Sequence, residues 1–306
     1  MGNNDMPSHH GVEELRSDTY PNQTLQLLIE RASCRSFSGK KIAPNILQHI
    51  LEAGIHAPTG GNLQPYSIIK IEDDKTKQKL AEWCTQDFIA QAAVDLLFCI
   101  DWHRLERWAQ LEIAPFSAMS SFSHFWISFQ DTVICAQNIC TAADSLGLGS
   151  VYVGTILLFL REIRDLLQLP KGVFPVVLLC LGYPKGKRLP RKKLGVGVVV
   201  HDEKYHEISD QKLKSAFDRK YPNVKIEMTE ERLNEISEVC RIVHDEEFAK
   251  QCIARIKENR YINHVQRYFG LHYRADIMSQ ENDELLAIVE ELGFHWFKKY
   301  QRCREK

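Results

Sequence analysis

Two stretches decide how this chain is read: Arg31-Ala32-Ser33-Cys34-Arg35, and Ala57-Pro58-Thr59-Gly60-Gly61-Asn62-Leu63-Gln64-Pro65. The first gathers two guanidiniums and a hydroxyl around one point. Arginine meets phosphate oxygens in a bidentate fork, and serine adds a neutral donor. The second is a loop in which two glycines admit a ligand close to the backbone. Asn62 and Gln64 each carry a donor and an acceptor, which suits the mixed polar edge of a flavin or a purine. Taken singly, the first stretch reads more simply as a solvated basic surface, and the second could be a tight helix–strand turn. Together they point to a phosphorylated, flat cofactor.

Working outward, residues 22–32 read as a helix capped by Asn22, with Leu25, Leu28 and Ile29 on one face. Pro44 opens a second helix whose apolar face is Ile46, Leu47, Ile50, Leu51 and Ile55. Tyr66–Ile71, Leu96–Ile100 and Val176–Leu181 read as buried strands. Phe125–Leu146 is a long helix, apolar or small on most faces, and so belongs in a large core or at a subunit interface. Glu162–Leu169 is a short helix stopped by Pro170 and Gly172. Strands separated by helices imply a layered α/β or α+β domain. After Tyr183 the character changes. Pro184–Leu194 is a basic, proline-containing loop, Gly195–Val200 is apolar and extended, and from about Asn223 the chain turns helical. Thr229 caps a helix with Leu233, Ile236, Val239 and Cys240 inward. Further helices are expected over 245–258 and 281–302. The chain is thereby divided into a tail (1–20), a main domain (21–222) and a helical extension (223–306).

The 306 residues carry 44% hydrophobic and 26% charged side chains and a net charge of −1. This is the composition of a soluble globular protein, with no electrostatic case for nucleic acid. The longest apolar stretch, near Val151–Leu160, is about half of a membrane span. The first twenty residues are polar and read as a flexible tail. The nine cysteines are scattered without a Cys-x-x-Cys pair, which reads as a reducing cytoplasm and structural thiols. No metal-ligand spacing stands out among the twelve histidines.

The run Ser145–Thr155 resembles a dinucleotide-binding glycine motif only superficially, because its glycines follow a helix and their spacing is wrong. Gly147 reads as a helix C-cap. Tyr152–Thr155 can present backbone N–H groups to a ring. Lys185, Lys187 and Arg188 form a second basic group that would complete a phosphate cradle with Arg31 and Arg35, or else lie on an exposed loop.

In this order the segments resemble the FMN-dependent nitroreductase family. The resemblance rests on Arg31, Ser33, Arg35 and Phe37. It continues through Ala57, Pro58, Thr59, Asn62, Gln64 and Pro65, with Thr for the usual Ser. It takes in Asp131, Ala136, Gln137 and Asn138 with the Leu146–Gly149 signature, then Gly182–Pro184, and Arg188 running to Val199–His201. It covers about residues 22–205.

The resemblance implies an α+β three-layer sandwich with a mostly antiparallel central sheet, in an interlocked homodimer, to which the C-terminal helices are added. It implies FMN as cofactor and NADH or NADPH as co-substrate in a ping-pong reduction of a small organic acceptor, nitroaromatic or quinone-like. Arg31, Ser33, Arg35, Lys187 and Arg188 would hold the FMN phosphate. Pro58, Thr59, Gly60, Asn62 and Gln64 would contact the flavin from the partner subunit. Tyr152, Val153, Gly154 and Thr155 would lie by the ring, and Gly154 stands where some members carry an acid. Neither a metal nor a catalytic acid–base residue is implied, because the cofactor carries the chemistry. A specialised flavin dehydrogenase or oxidase, and a flavin-binding interaction protein, are the rival readings. Trp102, His103, Arg104, Trp108, Phe116, Phe122 and His124 either line a pocket or pack an interface.

Overall fold

Every residue of the strand Val94–Asp101 is buried, so the sheet around it is covered on both faces. Leu96 and Phe98 point into one apolar cluster, while Leu97 and Cys99, at 1% and 0% exposure, point the other way. The computed structural model describes residues 20–298. The tail predicted for 1–20 lies outside these residues except for Tyr20. The described chain forms two compact units. One holds residues up to Asp101, Trp126–Leu166 and Pro175–Pro190. The other holds Trp102–Phe125, Leu167–Phe174 and the residues from Arg191 onward.

The first unit contains the sheet. Its strands are β1 (Tyr66–Ile71), β2 (Val94–Asp101), β3 (Gly149–Val153) and β4 (Val173–Gly182), in the order β1-β2-β4-β3. β1 runs antiparallel to β2, from Tyr66 opposite Ile100 to Ile71 opposite Asp95. β3 runs antiparallel to β4, from Gly149 opposite Gly182 to Val153 opposite Leu178. β1 has the predicted ends. β2 and β4 extend beyond theirs, and β3 is a strand the sequence reading did not assign.

Helices α1 (Gln23–Glu30) and α2 (Pro44–Ile55) open the unit. Asn22 Oδ1 accepts from the Leu25 amide at 2.9 Å, as a cap should. No residue of α1 is buried, so Leu25, Leu28 and Ile29 share a face that this chain alone leaves open. In α2, Leu47 and Ile50 are buried against the sheet. Ile55, predicted on the same face, is instead exposed. Two helices follow, α3 (Asp74–Cys84), capped by Asp73, and α4 (Phe88–Gln91).

After α5 (Trp102–Leu111), which belongs to the second unit, comes the long α6 (Phe122–Ser145). Cys135, Ala136, Ile139, Cys140 and Ala143 place one side of α6 in the core with α2. Trp126, Ile127, Val133 and Ile134 are exposed on its other side. Gly147, at φ +78°, ends the helix as the sequence suggested. α7 (Leu160–Leu167) starts two residues before its predicted place.

In the second unit, Phe125, Phe174, Phe294 and Trp296 form an aromatic cluster, with Phe125 and Trp296 stacked at 4.0 Å between ring centres. Trp102 is buried against Phe116 and His124, whereas Trp108 is exposed. Val196–Val199, expected to be extended, forms a single helical turn, α8, with Val196 and Val199 exposed. Its valines are therefore not strand residues seeking a sheet partner. α9 (Asp210–Lys220), α10 (Glu230–Val243), α11 (Glu246–Asn259), α12 (His264–Arg267) and α13 (Asn282–Glu291) follow. Thr229 caps α10, and Ile236, Ile256 and Ile262 are the buried centre of the α10–α11 pair. The helix predicted over 281–302 stops at Glu291 because Gly293 turns left-handed at φ +94°. Its last four residues lie outside the described ones. Among the described residues no helix is long and apolar enough to cross a membrane.

Candidate functional site

Residues 31–38 leave α1 as an extended run. The Cys34 amide donates to Ser150 O at 2.8 Å. The Ser38 amide donates to Tyr183 O at 2.9 Å, and the Lys185 amide to Ser36 O at 2.9 Å. Phe37 bridges Pro184 in antiparallel fashion. Side chains alternate along an extended chain. Cys34 accordingly points inward, while Ser33 and Arg35 are exposed. The run is seated directly on β3, because a Cβ on Gly149 would sit 2.5 Å from the Cβ of Cys34. Only glycine permits that approach.

At the start of this run Arg31 Nε donates to Asp144 Oδ2 at 3.1 Å, and Arg31 Nη2 to Ser150 Oγ at 3.2 Å. Arg188 Nη1 donates to Asp144 Oδ1 at 3.2 Å and to Ala32 O at 3.1 Å. Its Nη2 donates to Leu148 O at 3.4 Å. Asp144 is buried in the last turn of α6. A carboxylate there opposes the helix dipole and needs cationic partners. It has two, so the trio keeps one surplus positive charge. Lys187 and Arg35 are exposed on the same two segments. The structure thus brings the two basic groups of the sequence together, across 157 positions, on an acid that the sequence reading gave no role. That acid was visible as an Asp at the wrong end of a helix, and Ser150 carried no comparable signal.

The second stretch lies between α2 and β1. Gly61, Asn62 and Gln64 all take left-handed backbone, at φ +60°, +54° and +49°. The Gly60 amide donates to both Asp131 oxygens, each at 3.1 Å, which pins the loop to α6. Burial pushes the Asp131 carboxyl up, and the Gly60 N–H opposes that shift. Thr59 Oγ1 accepts from the Gln64 amide at 3.3 Å, and Gln64 Nε2 donates to Ile55 O at 3.1 Å. The Gln64 carboxamide therefore braces the loop itself. Pro58, Gly60 and Asn62 are exposed, and Thr59 is half-buried.

The third group closes β3. Tyr152 is half-buried and its hydroxyl donates to Gln137 Oε1 at 3.4 Å; Val153 is buried. Thr155 Oγ1 accepts from Gln86 Nε2 at 3.0 Å. Gly154 is exposed, with open space where a Cβ would stand.

The α+β domain thus carries two arginines clamped on one buried carboxylate and a glycine loop pinned to α6. Residues 28–183 match the family model described as "Nitroreductase family", and the chain belongs to that family. It is 33% identical over 196 residues to the oxygen-insensitive NADPH nitroreductase of Salmonella typhimurium, covering 64% of this chain and 79% of that one. It is 32% identical over 190 residues to the NADPH-flavin oxidoreductase of Vibrio harveyi, covering 61% and 77%. Among solved structures, the NADPH:FMN oxidoreductase of V. harveyi complexed with NAD+ superposes with a TM-score of 0.60 at 30% identity, over 65% of this chain and 86% of that one. NfrA2 of B. megaterium superposes with a TM-score of 0.68 at 26% identity, over 92% and 100%. The last span reaches well into the helices after residue 223, so these helices have counterparts in a relative.

Proposed function

We propose that this protein is an FMN-dependent oxidoreductase that takes reducing equivalents from NADPH or NADH and delivers them to a small organic acceptor of the nitroaromatic or quinone type. The observation that carries the reading is the Arg31–Asp144–Arg188 clamp within a nitroreductase fold. The donor set fits a phosphate. The clamp keeps a surplus positive charge, and Ser33 and Arg35 are exposed beside it. Nη1 of Arg31 has no protein partner among the described residues. The open space at Gly154 fits a flat ring laid against the end of β3.

In this reading Arg31, Ser33, Arg35, Lys187 and Arg188 hold the phosphate, and Asp144 fixes the two clamp arginines. Pro58, Thr59, Gly60, Asn62 and Gln64 shape the ring-facing loop, and Tyr152, Val153, Gly154 and Thr155 form the wall beneath the ring. When bound, FMN supplies two-electron chemistry, so the chain's own task is to bind, orient and exclude water.

We further propose a homodimer. Asp131 and Asp144 stand thirteen residues apart on α6, about 20 Å along its axis. The loop and the clamp of a single chain are thus anchored farther apart than a ribityl chain spans, and a second copy would bring its own loop to the clamp. The exposed apolar faces of α1 (Leu25, Leu28, Ile29) and α6 (Trp126, Ile127, Val133, Ile134) supply surface for that copy. A reducing compartment such as the cytoplasm suits the eight described cysteines, all free thiols. The rival flavin dehydrogenase and interaction-protein readings are not favoured, because the relatives above are named as NADPH reductases.

Flavin retention tests the assignment. Arg31→Ala/Arg35→Ala should elute colourless where the parent protein elutes yellow, with the same dimer size. Unchanged FMN content in the double variant would refute the cradle.

A further inference from the structure

The α10–α11 hairpin carries two thiols in one layer. Cys240 lies one helical turn after the buried Ile236, and Cys252 one turn before the buried Ile256. The helices run antiparallel through the tight turn at His244–Asp245. Ile236 and Ile256 therefore form one layer of the hairpin, and Cys240 and Cys252 the next layer toward the turn. Both cysteines pack against the same isoleucine cluster, and burial, then the neighbouring Cys240 thiol, push the Cys252 thiol up. Both are partly exposed, whereas the other six described cysteines (34, 84, 99, 135, 140 and 180) are buried.

We propose that Cys240 and Cys252 are an oxidative modification site, at which a hydroperoxide closes a disulfide that staples α10 to α11. One thiolate sulfur attacks a peroxide oxygen. The O–O bond breaks, the first equivalent of water or alcohol leaves, and the sulfur becomes a sulfenic acid. The second sulfur displaces the sulfenic oxygen as water, and the S–S bond forms. Both cysteines are oxidised, the peroxide is reduced, and the two thiol protons end on the departing oxygens. Facing positions across a helix pair can meet the short Cβ separation a disulfide needs. Burial pushes the Cys252 thiol up to about 12, so closure is slow at neutral pH and quickens as pH rises. The site does not depend on the flavin assignment.

The test is a mapping experiment on the full-length protein. It is exposed to hydrogen peroxide at pH 7 and pH 9, alkylated and digested with trypsin without reduction. The expected product is peptide Leu233–Arg241 joined to Gln251–Arg255, accumulating faster at pH 9 and lost on reduction. Amide exchange across 230–259 should slow in the oxidised sample, and Cys240→Ser should abolish both effects. Recovery of both peptides fully alkylated, oxidised without a link, or linked to other cysteines would overturn the proposal.

Discussion

Arg31 and Arg188 grip different oxygens of one buried carboxylate, Asp144, at 3.1 and 3.2 Å. The contact joins the segment after α1 to the loop after β4 and shapes the proposed phosphate cradle. Removing the acid leaves two half-buried guanidiniums facing each other, and such unpaired charge is costly. Asp144→Ala should lower unfolding free energy by about 2–4 kcal/mol and weaken FMN binding roughly ten- to hundredfold. Urea melts and flavin titration measure the two effects. Retention of both properties would show that the arginines do not need the acid.

In the proposed cradle, Arg35 and Arg188 contribute differently. Arg35 is exposed, whereas Arg188 is built into the clamp. Arg35→Ala is expected to weaken FMN affinity roughly tenfold, the worth of one charged contact, and to lower the thermal midpoint less than Arg188→Ala. Arg188→Ala is expected to lower both. Calorimetry beside flavin titration reads the contrast, which fails if Arg35→Ala destabilises as much as Arg188→Ala or leaves affinity intact.

Gly149 is a steric requirement of the same site. A Cβ there would lie 2.5 Å from Cys34 Cβ and 3.2 Å from Arg188 Nη1. Gly149→Ala should cost about 1–3 kcal/mol through overpacking. Adding Cys34→Gly, which removes the opposing carbon, should restore part of the loss. A double variant no better than the single one would place the clash elsewhere.

Asp95 gives the fold a pH signature. Desolvation pushes its carboxyl up to about 7, against the opposing pull of the Cys180 thiol and Lys77. Between the ordinary carboxylate value and about 7 the folded state keeps a proton that the unfolded state has lost. The stability contribution of this group therefore falls as pH rises through that window and levels off above it. Asp95→Asn cannot ionise, so its stability relative to the parent should climb from pH 5 to about pH 7.5 and then stay flat, by about 2–4 kcal/mol in all. Chemical melts at several pH values decide this, and a pH-independent difference would contradict it.

Local signals were readable where the chain dictates its own geometry. Asn22 and Thr229 announced helix starts, Pro44 a first turn, and the run Tyr66–Ile71 a strand with the ends it has. β3 escaped because Gly149 and Ser150 lack strand propensity, and their place is set by Cys34 and by the antiparallel partner Gly182. Val196–Val199 misled because β-branched residues suggest extended chain, although nothing pairs with these valines as a strand. The exposed arginine and glycine motifs were legible as chemistry. Asp144 stood out only as an acid at the C-terminal end of α6, and its meaning lies in two cations that the fold delivers from distant parts of the chain. Asp131 belonged to a recognised pattern, yet its bond to the Gly60 amide is a tertiary fact.

The most direct measurement of the central claim is the visible absorption spectrum of the purified protein, followed without oxygen as NADPH or NADH is added. The account predicts flavin absorbance that bleaches on addition and returns when a quinone or nitroaromatic acceptor follows. A protein that cannot take up FMN, or a bound flavin that neither nucleotide reduces, would contradict it.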